Sequence, residues 1–598
     1  MSQCRTPSGD VVIGSGNCVN VFVDQSYTGK DSALGAVTIN AGGSLFVPDA
    51  SVEIEAKSII VVGVPGNGPA AQALLQIGTA ACPIGTLSPE NHVTLRLLGE
   101  RPAATKIHQH DHKSGDDCTT IDKGIGVGVN GQLRLFGARG VPPEGYSWAA
   151  LSRPAGPIAY QVRDNRNPDA HPEKIGAPVP HGGELTLNVE HDVTKGGNPW
   201  KPGDWIVVGT TSFSPFESEF VQIQNVVKEE HGSRIVLSAA TPLRHYHFGG
   251  PDPGPAHDIG STPGAASRSF NLSQSHNFGV DERAEVGLIS RNIQLTAATP
   301  KIATPGDSSL HWGGEMRFCK GYDEVSVQGV ELEKFGKENL GSYPIHFHLA
   351  NASKWTPGTL PAPPTGRHLI DANSIHHTYN KCATIHSTSD ITLSNNVCAR
   401  ITGHMFYQEI GDEFSSSFKN NLGLGIMLNG FGLAANVRRT PDNLVMNYWE
   451  GDYLGRAIDF DGLKVANTDN GTNPVIGQCY SKNPNAGGLE GAVATSGASC
   501  PAGKILFEPP TGFWIVNPTA MLEGNSVGGC QGLGKGYWYV APTKTPGDAR
   551  FALKFQPVGR FVNNRVHSCY DGIFGETDGG WSPSNSSRKS TAITSHST

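Results

Sequence analysis

The sequence predicts an all-β chain wound as a parallel β-helix, and three observations carry that reading. Glycine and proline are abundant, 75 and 41 in 598 residues, while charged residues make up only 17%. Apolar residues come as short Val/Ile/Leu runs bounded by Gly, Asn, Asp and Pro, which is strand-and-turn patterning with little that reads as a helix. The third is an interval: Asn373 opens "NSIHHTYNKCATIHSTSDITLS" and Asn396 opens "NVCARITGHMFYQEIGDEFSS", 23 residues on. That is a plausible length for one rung, and asparagine at a rung corner suits both a left-handed backbone and an internal side-chain ladder.

The N-terminal half fits the same architecture. "LGAVTINAGGSLFVPDASVEIEAKSIIVVG", "ALLQIGT", "HVTLRLLGE" and "GVGVNGQLRLFGARG" are short alternating strands that recur regularly and end in glycine or polar turns. Between them lie insertions. One, "HQHDHKSGDDC", holds His108, His110, Asp111 and His112, which have the donor types for a metal but read better as a solvated loop.

Composition excludes some partners. A net charge of −8 with no basic block argues against duplex nucleic acid. No apolar run approaches the roughly 20 residues needed to span a bilayer, so membrane insertion is not expected. Eleven cysteines suggest a secreted, disulfide-bonded protein, with local pairs Cys4–Cys18, Cys82–Cys118, Cys382–Cys398, Cys479–Cys500 and Cys530–Cys569, and Cys319 left as a buried thiol. The chain is expected to be monomeric. The Ser/Thr-rich end after residue 578 reads as a disordered tail, and the sequons at Asn271, Asn351, Asn470 and Asn585 matter only in a eukaryotic host.

The candidate site begins at "YPIHFHLA", Tyr343 to Ala350. In an extended strand His346 and His348 share one face while Ile345 and Phe347 share the other. At the 23-residue interval His386 falls over Glu409, and His348 reaches the equivalent position one rung earlier if "WTPGTLPAPPTGR" is looped out. Rungs about 4.8 Å apart would then stack His348, His386 and Glu409 in a column beside His346. A slip of one residue would turn the set to the opposite face. A lone strand histidine is usually structural, and His376, His377 and His404 are read so individually. Four polar groups in one patch point instead to metal ligation or acid/base chemistry.

The succession "LTLNVEHDVTKGGNPWKPGDWIVVGTTSFSPFESEFVQIQNV", "ERAEVGLISRNI", "YPIHFHLA", "NSIHHTYNKCATIHST", "GHMFYQEIGDE", "GFWIVNPTAMLEGNSVGGCQGLGKGYWY" and "GRFVNNRVHSCYDGIF" resembles the cell-migration-inducing, hyaluronan-binding and transmembrane hyaluronidase-like family. The strands from about Leu34 to Leu151 resemble the G-eight domain of the same proteins and of fibrocystin. The resemblance implies a right-handed parallel β-helix, extracellular placement, and association with hyaluronan or a related glycan, in some members with its depolymerisation. It organises the chain as an N-terminal β segment (1–33), a G-eight-like region (34–260), the β-helix (261–578) and the tail (579–598).

Chemically, hydrolysis needs an acid and a second carboxylate, for which Glu409 and Asp412 are the nearest pair, with Glu413 in reserve. Elimination on a uronate needs charge neutralisation and a base, with Arg400, His404 and Tyr407 as candidates. His346, His348 and His386 with Glu409 would suit a zinc-like ion, while calcium would prefer oxygen ligands at rung corners. Arg438 and Arg439 are candidate contacts to an anionic glycan. Trp514 and Trp538 are candidate sugar platforms, although the alternation in "GFWIV" and "GYWYV" buries half of Trp514, Tyr537, Trp538 and Tyr539. The rival function is a non-catalytic glycan-binding or adhesive scaffold; no organic cofactor is expected.

Overall fold

A computed structural model describes residues 2–14, 18–100, 118–143, 145–157, 184–196, 198–212, 214–249, 281–298, 312–337, 341–350, 361–427, 510–531, 534–541 and 553–576. The regular elements there are β-strands and short 3-10 turns. Most strands stack in parallel into three long faces. The first face runs from Val11–Ile13 through Ile345–His348, Ala383–His386, Phe406–Gln408, Thr511–Ile515 and Lys535–Val540 to Asp571–Glu576. The second contains Val93–Leu97, Ile293–Ala297, Ser374–His376, Val397–Thr402 and Leu422–Met427. The third is a ten-stranded sheet from Asn20–Phe22 to Arg560–Val562. This is a parallel β-helix, and its earliest and latest rungs share sheets.

Alternation places one set of side chains inside. Val37, Leu75, Leu133, Ile345, Phe347, Ile385, Phe513 and Tyr537 belong to a single core that runs the length of the coil. Burying such side chains contributes about 1.5–3 kcal/mol each, so alternation fixes which face of every strand turns inward.

The corners between third and second faces hold the expected asparagines, but the two duties are split between adjacent residues. Ala372, Asn395, Asn420, Gly524 and Asn563 take the positive φ. The next residues, Asn373, Asn396, Asn421, Asn525 and Asn564, form the ladder, each Nδ2 donating to the following Oδ1 at 2.9–3.0 Å. The other Nδ2 proton reaches a backbone carbonyl, as from Asn396 to Ile370 at 2.9 Å.

After Gly131–Phe136 the chain leaves the coil and builds a six-stranded antiparallel sheet between Trp148 and Leu288, with its own core around Leu187, Trp200, Ile206 and Val286. It re-enters at Ile293–Ala297, which pairs with Val93–Leu97. The inserted sheet docks on the second face, where Val207 and Ile289 pack on Val397, Ala399, Leu422 and Leu424. At the later rungs, buried Glu285 accepts from His567 at 3.0 Å and from Ser526.

Cys4–Cys18, Cys382–Cys398 and Cys530–Cys569 are bonded as expected. Cys118 is bonded to Cys319 and Cys82 is a free thiol, which corrects the expected Cys82–Cys118 pair and the free Cys319. Rung stacking brings together residues 201 apart, whereas the local spacing favoured a nearer partner. Cys479, Cys500 and the histidine-rich loop lie outside the described residues.

Two outcomes follow. Asn396→Leu leaves the partners at Asn373, Ile370 and Asn421 without their bonds, and urea denaturation should show a loss of about 4 kcal/mol, since each buried unsatisfied group costs about 1–3 kcal/mol. Non-reducing peptide mapping should recover a Cys118–Cys319 link and an alkylatable Cys82; a Cys82–Cys118 peptide would contradict the stacking of these rungs.

Candidate active site and metal centre

Strand Ile345–His348 turns Ile345 and Phe347 into the coil and His346 and His348 out on the first face. His348 lies directly opposite His386 in the next rung, and the pairing of Ile385 with Gln408 puts Glu409 at the next place in that column. The three imidazoles converge. Ring centroids are 4.7 Å apart for His346 and His348, 5.2 Å for His348 and His386, and 6.1 Å for His346 and His386. One nitrogen from each lies within 4.8 Å of the others. Glu409 Oε2 is 3.3 Å from His386 Nδ1 and 3.9 Å from His346 Nε2.

Local structure orients these groups. His346 Nδ1 is 2.8 Å from the Gly341 carbonyl, which can only accept, so Nδ1 carries the proton and the neutral ring keeps its lone pair on Nε2, toward Glu409. That arrangement of a carbonyl behind an imidazole is how metal-binding histidines are held. The His386 imidazole is pushed down to about 4 by burial, against the opposing pull of Asp412, and is therefore neutral near pH 7. Three imidazoles and a carboxylate form a donor set of the zinc-like type.

Beside the cluster, Ser387 donates to Asp412 Oδ2 at 2.7 Å, and burial raises the Asp412 carboxyl above its ordinary value. Glu413 is fully buried and accepts from the backbone N–H groups of Ser387, Ile410 and Gly411. Burial, then the Asp412 charge, pushes it up to about 8. Glu413 therefore clasps the turn after Glu409, whereas Asp412 remains beside His386.

The other expected residues divide. Tyr407 and His404 sit one rung further, their rings stacked 5.4 Å apart, with the Lys381 ammonium 4.0 Å from the Tyr407 ring centre. The His404 ring is held well below its ordinary pKa by burial and then by Lys381. Arg400 is on the second face, donating to the Ser218 carbonyl and covering the Phe220 ring of the inserted sheet, so it does not serve this site. Trp514 and Trp538 point outward as alternation implies, while Tyr537 and Tyr539 join the core. The two indoles are not an open sugar platform, however: they are 3% and 0% exposed, within a cluster that includes Val516, Val540 and Leu553. Arg438 and Arg439 lie outside the described residues.

The sequence reading missed Tyr343, Lys381 and Thr384. Tyr343 packs on His346 at 4.8 Å, and Lys381 lies 5.3 Å from its ring centre. Thr384 could have been found, because it pairs with His346 and alternates with His386.

Fold and site together define a disulfide-bonded β-helical protein with a buried histidine–carboxylate cluster on one face. Residues 3–152 match the G8 domain, and residues 311–454 and 492–573 match the CEMIP beta-helix. The chain thus carries both domains and resembles the cell-migration-inducing and cell surface hyaluronidase proteins. It is 25% identical to the human "Cell migration-inducing and hyaluronan-binding protein" over 76% of this chain and 27% of that protein. To the human "Cell surface hyaluronidase CEMIP2" it is 26% identical over 65% of this chain and 23% of that one. Human "Fibrocystin-L" is 22% identical over 94% of this chain and 10% of its own length. The chain spans about a quarter of the length of the first two. Among the described residues no helix is long and apolar enough to cross a membrane.

The buried His404 gives a pH test. Its folded pKa is depressed, so its contribution to stability is complete above the unfolded value near 6.5 and is lost as pH falls below it. As pH falls from 6.5 to 5, wild type should lose stability relative to His404→Phe in urea denaturation. Parallel pH profiles would mean that the ring titrates freely in the fold.

Proposed function

We propose that this chain acts outside the cell on hyaluronan or a related uronate-bearing glycan, and depolymerises it at the first-face cluster with a divalent metal. The convergence of His346, His348 and His386 to within 4.8 Å, with Glu409 beside them, carries the reading. The relatives named for hyaluronan binding and hyaluronidase activity support the substrate class, and the disulfides support the location.

The three histidines would hold a zinc-like ion, which when bound would supply a Lewis acid, and leave Glu409 free as a base. The Gly341 carbonyl orients the His346 ring with Nε2 toward Glu409, and burial keeps His386 unprotonated, so His386 need not shed a proton near pH 7. Glu409 is placed to take a proton. Asp412, its carboxyl raised by burial, would return one to the leaving oxygen.

One observation favours a second reading. His346, His348 and His386 are at most 3% exposed, as befits a metal tie between rungs in a glycan-binding scaffold.

Digestion of hyaluronan, chondroitin and pectin-like uronates, resolved by size, separates the two. His348→Ala/His386→Ala should lower depolymerisation roughly a hundredfold or more and lose bound metal, and unsaturated-end absorbance distinguishes elimination from hydrolysis. Metal retained by wild type with no polymer cut would leave only the scaffold. Activity unchanged in the double variant would move the chemistry elsewhere.

A further inference from the structure

His346 belongs to a second column on the first face, following Arg317, and its register is continuous. It pairs with Thr384, Thr384 with Tyr407, Tyr407 with Trp514, Trp514 with Trp538, and Trp538 with Phe574. Neighbouring rungs stand about 4.8 Å apart, so the column is a track along the coil that passes the histidine cluster and runs on to Phe574.

Its chemistry is unusual for a packed surface. Thr384 Oγ1, Trp514 Nε1 and Trp538 Nε1 are buried polar atoms with no hydrogen-bond partner among the described residues. Such groups are rare in folded proteins, and each calls for an explanation. Here three outward-facing ones share a single column. Two cations flank it: Lys381 over Tyr407, and Lys535, paired with Asp571 at 2.8 Å, at 4.8 Å from the Trp538 ring centre and 4.6 Å from that of Phe574. Aromatic faces and unmet N–H and O–H donors together call for a long ligand rich in hydroxyl and carboxylate acceptors.

The Trp514–Trp538 part of the column packs with an element outside the three sheets. Leu553, in the 3-10 turn Leu553–Phe555, is fully buried in the cluster of Tyr407, Trp514, Val516, Trp538 and Val540. Its isobutyl side chain offers the indole N–H groups no acceptor. Phe574, at the far end of the column, is 36% exposed.

We propose that the Thr384–Trp514–Trp538 column is a subsite for an acidic glycan, running from the histidine cluster toward Phe574, and that Leu553 fills it in the unliganded protein. The inference rests on the function proposed above, and names where the polymer lies beyond the reacting residue. Binding displaces Leu553, and sugar hydroxyls and carboxylates accept from the three donors.

Donor-removing changes test it, with a hyaluronan decasaccharide as probe in calorimetry and indole fluorescence. Thr384→Val removes one donor at nearly the same shape, and Trp538→Phe removes one donor together with part of the ring. Each should weaken binding about tenfold, the worth of a hydrogen bond to a charged or well-placed acceptor, while the unfolding midpoint of Thr384→Val stays or rises. Leu553→Ala should bind severalfold tighter. Affinities equal to wild type in Thr384→Val and Trp538→Phe, or lowered midpoints at unchanged affinity, would make the column mere core; an unchanged affinity in Leu553→Ala would remove the plug. If wild type binds and His348→Ala/His386→Ala abolishes cleavage while these variants behave as wild type, only the subsite falls. If wild type does not bind the decasaccharide, the subsite and the proposed substrate fall together.

Discussion

Five corner asparagines hold the coil in register, and the placement of every functional side chain depends on it. Each of the first four ladder amides spends both protons, one on the next asparagine and one on a backbone carbonyl, and each Oδ1 also accepts a backbone N–H, as Asn396 does from Asn373. Buried amides are costly unless fully bonded, so an asparagine displaced by one residue would leave several orphaned groups. That penalty recurs at five successive corners. The ladder therefore opposes the one-residue slip that would bury His346 and His348 in the coil and turn Ile345 and Phe347 outward.

With the register fixed, the two outer faces acquire different tasks. The second face receives the inserted sheet, with Arg400 and Glu285 bound into that junction. The first face keeps the histidine cluster. One rung before it, the pairing of Phe318 with Phe347 sets Cys319 next to the place of His348, and Cys319 is tied there by its bond to Cys118. The cluster thus stands between a covalent anchor and the turn clasped by Glu413. Such anchoring on both sides would suit the proposed metal site, whose ligands must converge before an ion binds.

The burial of that face sets the electrostatics. Desolvation lowers His386 and His404 and raises Asp412 and Glu413, so the imidazoles lose their protons, and the carboxyls keep theirs, at higher acidity and lower acidity respectively than in water. Neutral imidazoles beside a protonatable carboxyl are what both metal binding and acid catalysis require.

The sequence by itself determined the all-β coil, the corner asparagines, and the column of His348, His386 and Glu409, because a rung of nearly constant length turns a linear interval into a stacking contact. It also gave the three local disulfides, for the same reason of proximity. Only the tertiary structure decided the Cys118–Cys319 bond, the direction of Arg400, the clasp made by Glu413 and the closure of the Trp514–Trp538 column under Leu553. Those depend on which rung or inserted element lies against a given face, and strand periodicity says that a side chain points outward without saying what meets it there.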